Sequence, residues 1–365
     1  MTFGARARIR LSAIRHNLGV IRSKAPGTRI MAVVKANAYG HGLLAVAESL
    51  SDVDSLAVAR LAEAEKLRAH GVNTPIVVLG GAICPEDIAR AQALNVQLAV
   101  HDQQQIRWCI QYPGEIGAAW LKIDTGMNRL GIVPESAFDA IRVLQPHIRD
   151  LRLMTHFSSA DDPKDPTTRR QLERFRPLIA EFHGDISLAN SPGLLAWGDD
   201  IASLAASNRD RSIWVRPGLA LYGISPLDGQ IGSDLGLEPA MEFESTLISV
   251  KPLKAGAHVG YGGSWQAPCD SVLGVVAVGY GDGYSRHIPT GAPVLVNGRR
   301  VPVIGRISMD LTTIDLGPDA TDEAGDRVLL WGKALPVEEI ALHAGTIPYQ
   351  LVTGVTHREG SVIEH

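Results

Sequence analysis

From residue 29 the chain repeats one pattern: a short, nearly unbroken apolar run, then a stretch whose apolar residues recur three and four apart. The apolar runs are RIMAVVKA, SLAVAR, PIVVLGG, VQLAVH, AAWLKID, RLMTHFS, ISLANS and IWVRPGLALYG. Each is short and carries β-branched or other apolar residues, which predicts a strand. Segments between them, such as LLAVAESL, LAEAEKLRAHG, PEDIARAQALN, ESAFDAIRVLQ and RRQLERFRPLIAEF, predict helices. Several open on acidic or capping residues and close near Gly or Asn. Strands apolar on both faces belong in a parallel sheet covered on both sides. Eight such units over about 200 residues fit a (β/α)8 TIM barrel. The alternative is an open doubly wound sheet, but no GxGxxG opens the first strand–helix turn. The helical SAIRHNLGVIRSKA precedes the first strand and is expected to fill the helix seat left empty after the eighth.

After about residue 230 the texture changes to alternating strands with turns rich in Gly, Pro and Asp: MEFESTLISVKPL, DSVLGVVAVGYGDGY, APVLVNGRRVPVIGRISMDLTTIDL and DRVLLWG. Asn-Gly in VNGR suits the two positive-φ positions of a type I′ hairpin turn. One short helix, PVEEIALHAG, interrupts this region. The expected division is a barrel over residues 9–233 and a mostly antiparallel β-rich domain over 234–365, with residues 1–8 as a strand packed on the latter. With 365 residues and 45% hydrophobic content, there is enough apolar material for both cores. A formal charge of −4 argues against nucleic acid or anionic membrane as a partner. No apolar run is long enough to span a membrane, and the N-terminus lacks the apolar region of a secretory signal. Cys84, Cys109 and Cys269 are scattered with no CxxC, the usage of a cytoplasmic protein with reduced thiols. No HExxH or Cys/His cluster suggests a metal.

In a barrel the working face lies at the C-terminal ends of the strands. There the first strand carries Lys35 with Tyr39 just beyond; the fifth carries Lys122, Asp124 and Arg129. The sixth ends on His156, the seventh on Asn190 and Ser191, and the eighth carries Arg216 before Gly218 and Leu219. Singly, each has a plain explanation. Lys35 could extend its ammonium into water, His156 could be a hydrogen-bonded core residue, and Asn190 could cap a helix. All of them on one rim make a candidate site. A desolvated lysine is the nucleophile for an aldehyde cofactor, and barrels build phosphate seats from the loops after strands seven and eight. Pyridoxal 5′-phosphate has both the aldehyde and the phosphate.

The ordered set AVVKANAYGHG, KIDTGMNRLG, THFSSAD, VRPGLALYG, GYGDGY, GRISMD and IPYQLVTGV resembles the motifs of the alanine racemases, pyridoxal-phosphate enzymes of fold type III. The resemblance runs over nearly the whole chain. It implies a barrel plus a β domain, a homodimer with shared active sites, and interconversion of L- and D-alanine. Lys35 would carry the cofactor and act as base on the D-alanine side; Tyr261, from the partner subunit, would act on L-alanine. Arg216 would face the pyridine nitrogen, with His156 beside the ring and linked to Arg216. Tyr39, Ser191, Gly218, Leu219 and Tyr349 would hold the phosphate, with Asn190 nearby. Arg129 and the main-chain N–H of Met309 would bind the substrate carboxylate, and a carbamylated Lys122 would orient Arg129. Tyr280 and Arg306 would line the narrow way in. Ser308 stands where the family often has cysteine, a position not expected to perform chemistry.

Inversion at Cα needs one proton taken from one face and another delivered to the opposite face, which two fixed bases accomplish. Lysine and tyrosine start from similar pKa values, and each must be tuned downward to act near neutrality. His156 and Arg216, as neighbouring cations, are expected to tune Tyr261. Broad-specificity racemases of the same fold are the alternative, since one methylene changes discrimination by only about 1–3 kcal/mol. A pyridoxal-phosphate carrier would need neither Tyr261 nor the second domain. A decarboxylase for basic amino acids would place an acid, not Arg216, at the pyridine nitrogen. A product role follows in either direction: supplying D-alanine for peptidoglycan, or degrading it.

Overall fold

The computed structural model describes residues 4–207, 210–356, 358 and 360–364. After strand β1 (Arg6–Arg10) and helix α1 (Leu11–Lys24), eight parallel strands close into a barrel. They are β2 (Arg29–Val33), β3 (Ser55–Val58), β4 (Ile76–Val78), β5 (Gln97–Val100), β6 (Ile116–Lys122), β7 (Ile148–Met154), β8 (Ile186–Ser187) and β9 (Ile213–Val215). β2 pairs with both β3 and β9, which closes the ring. The strands are apolar on both faces because the ring of helices covers one and the barrel interior the other; every residue of β3 and β4 is buried. The interior is packed. Near the end where β2 and β5 begin, the Arg152 guanidinium lies 5.3 Å over the Trp120 ring and 5.4 Å over Trp214, and pairs with Asp150. Trp214 Nε1 donates to Asp185 and Trp120 Nε1 to Gln97, each at 2.8 Å. No indole N–H in this layer is left without an acceptor.

The predicted runs overshoot the strands at their C-terminal ends. IWVRPGLALYG holds only three strand residues before Pro217 and a 3-10 turn, Leu219–Tyr222. The reason is functional geometry: the residues beyond each strand turn away to form the rim. α1 buries Leu11, Ile14, Leu18 and Ile21, a spacing of three and four. It packs on the turn after β9 and on the helices Leu43–Ser49 and Ser191–Ala196, and so occupies the eighth helix seat. Buried Asn17 fastens it there, donating to Leu221 O (3.0 Å) and Glu238 O (2.8 Å) and accepting from Glu238 N–H (2.7 Å).

The remaining strands are β10 (Met241–Leu253), β11 (His258–Val259), β12 (Trp265–Gln266), β13 (Ser271–Val276), β14 (Pro293–Val296), β15 (Arg299–Pro302), β16 (Thr312–Asp315), β17 (Arg327–Trp331) and β18 (Ser361–Glu364). The main sheet runs β15-β14-β17-β10-β1-β18, with β13 and β16 continuing from β10. β14 and β15 form the hairpin at VNGR, with Asn297 at φ 49° and Gly298 at φ 79°, as a type I′ turn requires. β1 lies between β10, antiparallel, and β18, parallel. One expectation needs correction: a second helix, Pro348–Thr353, follows Val337–His343 in this region. Its six residues are too few to show a helical period, although Pro at its start is a legible signal. Among the described residues no helix is long and apolar enough to cross a membrane.

The barrel leaves through Gly223, which has φ +78°, and a Cβ there would run into the Glu238 carbonyl. Gly223→Ala is therefore expected to destabilise the protein by about 2–5 kcal/mol, from left-handed backbone cost plus overpacking. The check is a lowered midpoint in thermal unfolding.

Candidate active site

The chain leaves β2 into an unusual turn. Ala36, Asn37, Ala38 and Tyr39 all have φ between 53° and 54°, so four consecutive non-glycine residues are left-handed. Each costs about 1–2 kcal/mol, so the turn must be held from outside. Ala38 N–H donates to Val34 O and Gly42 N–H to Asn37 O, both at 2.9 Å. Asn37 Oδ1 accepts from Leu43 N–H at 2.9 Å, and Glu63 Oε1 accepts from Ala36 N–H at 2.7 Å. The turn brings Lys35 and Tyr39 to one cavity of about 340 Å³ at the barrel mouth.

Eleven sequence-predicted residues line that cavity: Lys35, Tyr39, Lys122, Arg129, His156, Asn190, Ser191, Arg216, Gly218, Leu219 and Tyr349. Four are cationic residue types, and the lining contains no carboxylate. Burial is the main reason Lys35 is held below its usual pKa, with Arg129 next; Glu63 pulls the other way. Burial, then Arg216 and Arg129, brings Lys122 down to about 8. Burial lowers Arg216 only to about 10, so it is a cation at neutrality. His156 is pushed down to about 2 by burial and by the surrounding cations. It is therefore neutral, which corrects the expectation that it acts as a cation: four positive groups around a buried imidazole expel its proton.

Arg216 is anchored almost completely. One terminal nitrogen donates to Ser187 Oγ at 2.6 Å; the other donates to Thr155 O at 2.6 Å and Leu188 O at 3.2 Å. The latter also meets His156 Nδ1 at 3.2 Å, and since a guanidinium only donates, Nδ1 accepts. The turn carrying Arg129 is fixed by Asp124 Oδ1, which accepts from Gly126 and Asn128 N–H, both at 3.0 Å. Asn190 caps the helix Ser191–Ala196, its Oδ1 accepting from Gly193 N–H at 3.1 Å. It thus has the capping role and a place in the cavity lining together.

Ser191 Oγ accepts from Gly218 N–H at 2.8 Å and Ala220 N–H at 3.3 Å. A Cβ at 218 would lie 2.6 Å from the Tyr39 hydroxyl, so any larger residue there would displace that phenol. Burial holds the Tyr39 phenol well above its usual pKa and Tyr349 up at about 12, so both remain protonated donors. Their rings lie 5.9 Å apart, and Tyr349 arrives from the second domain. Cations that form no ion pair among the described residues, together with protonated phenols around a buried amine, suit an anionic, phosphate-bearing ligand.

The other four predicted residues lie outside this lining. Tyr261 is 68% exposed on the second domain, where it shares a separate cavity of about 560 Å³ with Arg306. Tyr280 and Met309 are exposed on the same domain; Tyr280 N–H donates to Ser308 O at 3.0 Å and Gly281 N–H to Met309 O at 2.8 Å. Sequence reasoning missed Val33, Ala59, Leu79, Gly80, Leu130 and Met154 in the cavity, and Thr155 and Ser187 behind Arg216. Apolar lining reads as core, but position was a usable signal: Ala59 and Leu79 directly follow β3 and β4, and Met154 ends β7.

Lys122 also yields a pH prediction. Between about pH 8 and its ordinary 10.5, the unfolded chain binds more protons at this lysine than the folded one does. The folded state is therefore penalised at pH 7 and relieved as pH rises. Lys122→Met is expected to raise the thermal midpoint at pH 7, with the gain shrinking toward pH 10.5, in unfolding scans of the full chain without added ligand.

The family model "Alanine racemase, N-terminal domain" matches residues 9–226, and "Alanine racemase, C-terminal domain" matches 240–363. The chain is 48% identical to the alanine racemase of Aeromonas hydrophila subsp. hydrophila over 357 residues, covering 96% of this chain and 97% of that one. It is 47% identical to that of Shewanella loihica over 366 residues, covering 98% and 99%. Among solved structures, the biosynthetic alanine racemase of Pseudomonas aeruginosa superposes with a TM-score of 0.93 at 39% identity, covering 100% of both chains. The Acinetobacter baumannii alanine racemase gives 0.90 at 30% identity, covering 100% and 99%. A barrel with a β domain, matched end to end in both sequence and shape, makes this chain a member of the alanine racemase family of isomerases.

Proposed function

We propose that the protein interconverts L-alanine and D-alanine with pyridoxal 5′-phosphate as cofactor, using Lys35 and Tyr261 as opposite bases in a homodimer. The observation that carries this reading is the barrel-mouth cavity: an amine of lowered pKa among cations and protonated phenols, with no carboxylate among the described residues of its lining. In this reading Tyr39, Ser191, Gly218, Leu219 and Tyr349 hold the phosphate, with Asn190 nearby, and Arg216 meets the pyridine nitrogen beside neutral His156. Bound there, the cofactor would spread into its ring the negative charge left at Cα. Arg216 keeps its own proton and only donates, which leaves that nitrogen unprotonated.

The residues of the chain do the rest. Arg129 and the Met309 N–H bind the substrate carboxylate, and a carbamylated Lys122 orients Arg129. Lys35 Nζ, lowered by burial and neighbouring cations, takes a proton from Cα on one face or returns one there. The Tyr261 hydroxyl does the same on the opposite face, so inversion needs no movement of the substrate. Tyr280 and Arg306 narrow the way in. Tyr261 is exposed and outside its own chain's cavity, which supports its delivery across a dimer interface. In domain terms, residues 9–233 form the barrel that binds the cofactor, while 234–365 add Tyr349 to the phosphate seat and supply the second base. The Pseudomonas aeruginosa relative is a biosynthetic alanine racemase, and in this reading the protein likewise supplies D-alanine for peptidoglycan, working in the cytoplasm.

Incubated with L-alanine in deuterated water, the holoenzyme is expected to form D-alanine and place deuterium at Cα of both enantiomers. Absence of exchange with cofactor bound would refute the function. Lys35→Ala and Tyr261→Ala proteins should each be inactive alone. Mixed under conditions of subunit exchange, they should recover about one quarter of wild-type turnover, the share of intact sites after random reassortment into twofold dimers. No recovery despite demonstrated exchange contradicts a site shared between chains.

A further inference from the structure

Glu63 occupies the third position of the helix Leu61–Ala69. Its Oε2 accepts from the N–H groups of Ala59 at 2.8 Å and Arg60 at 3.0 Å, where the chain leaves β3. Its Oε1 accepts from the N–H of Ala36, next to Lys35, at 2.7 Å. One carboxylate therefore ties the exits of two adjacent barrel strands together. Ala36 is also the first of the four left-handed residues. A carboxylate suits this bridge because both oxygens accept, whereas an amide offers one acceptor and one donor. Hydrogen bonds to a charged acceptor are also about twice as strong as neutral ones.

We propose that Glu63 is a positioning residue for the reaction: it suspends the turn Ala36–Tyr39 from the end of β3 and so sets where the Lys35 amine stands in the cavity. This rests on Lys35 acting as a base. The charged and titratable groups around that amine are Arg129 and Lys122 after β6, His156 after β7, Arg216 after β9, and the phenols of Tyr39 and Tyr349. Glu63 is the negative group opposing Arg129 and Arg216 at Lys35. Without it, the turn loses an anchor and the amine loses its counterweight. Both changes act through the backbone and the field, since Glu63 is not part of the cavity lining.

The test compares Glu63→Gln with Glu65→Gln, which removes a carboxylate from the same helix that pairs with Arg90 instead. In the holoenzyme, Glu63→Gln is expected to lower kcat about 10- to 100-fold while leaving KM for alanine nearly unchanged. In the full chain freed of cofactor, competitive acetylation of Lys35 read by mass spectrometry should show its labelling midpoint moving to lower pH. Glu65→Gln should move neither. An unchanged midpoint or an unchanged kcat in Glu63→Gln overturns the proposal, and so does an equal response in Glu65→Gln. Should Glu63→Gln fail to fold, Glu63→Asp replaces it, keeping the charge on a stem too short to span both strands; unchanged kcat there is equally decisive against it. The labelling arm stays readable even if Lys35→Ala retains racemisation, an outcome that would refute the base assignment separately.

Discussion

Two lysines and two arginines crowd a cavity of about 340 Å³ whose walls offer no acid. Two unit charges about 4 Å apart repel by about 4 kcal/mol at the effective dielectric of a protein surface, so this arrangement is costly when left alone. The molecule relieves it in the ways open to each group. The imidazole of His156 gives up its proton, and Lys122 and Lys35 hold theirs less tightly. The guanidiniums cannot follow, and Arg216 is instead fastened to Ser187 Oγ and two backbone carbonyls. What remains is a positive hollow with an amine at its edge whose pKa lies below the ordinary lysine value. Burial, with repulsion among these cations added to it, thus favours an anionic guest and loosens the proton on Lys35.

The groups that shape this hollow mostly stand behind it. Asp124 folds the turn that presents Arg129, Thr155 and Ser187 hold Arg216, and Glu63 hangs the left-handed turn next to Lys35. Asp124 and Glu63 accept from backbone N–H groups just beyond the strands, whereas Thr155 and Ser187 accept from the Arg216 guanidinium. Precision at the site therefore comes from ordinary hydrogen-bond completion at strand ends. The second domain adds Tyr349, so the cavity is finished by a residue from outside the barrel.

The barrel was legible because burial on both faces makes its strands apolar without interruption, and because eight such runs recur in order. The rim was legible because polar residues at strand ends are conspicuous after apolar ones; Lys35, His156 and Arg216 all stand out in this way. The helix Pro348–Thr353 was not, since six residues cannot display a period. Nor was the left-handed turn at KANAYG, because alanine ordinarily favours the right-handed helix, and the bonds that override that preference, one of them spanning 27 positions, are not visible in its local sequence. Glu63 was hidden for a similar reason. In LAEAEKLRAHG it reads as one more acid in a helix's first turn, and its contact with Ala36 spans 27 positions. The neutrality of His156 depends on groups from several strands and so could not be read from its own neighbourhood.

The placement of β1 bears on how the chain matures at the ribosome. Ala7 lies in register with Ser361, so β1 borders β18, and its other neighbour, β10, is itself made only after the entire barrel. During synthesis most barrel strands find partners near them in sequence, whereas β1 keeps exposed edges until β10 and then β18 have been made. Its alternating arginines, Arg6, Arg8 and Arg10, are the kind of charge that discourages unwanted edge pairing in the meantime. Once β10 and β18 arrive, Arg8 settles between Glu244 and Glu364 at 2.6 and 2.7 Å, and residues 356 positions apart are clasped side by side.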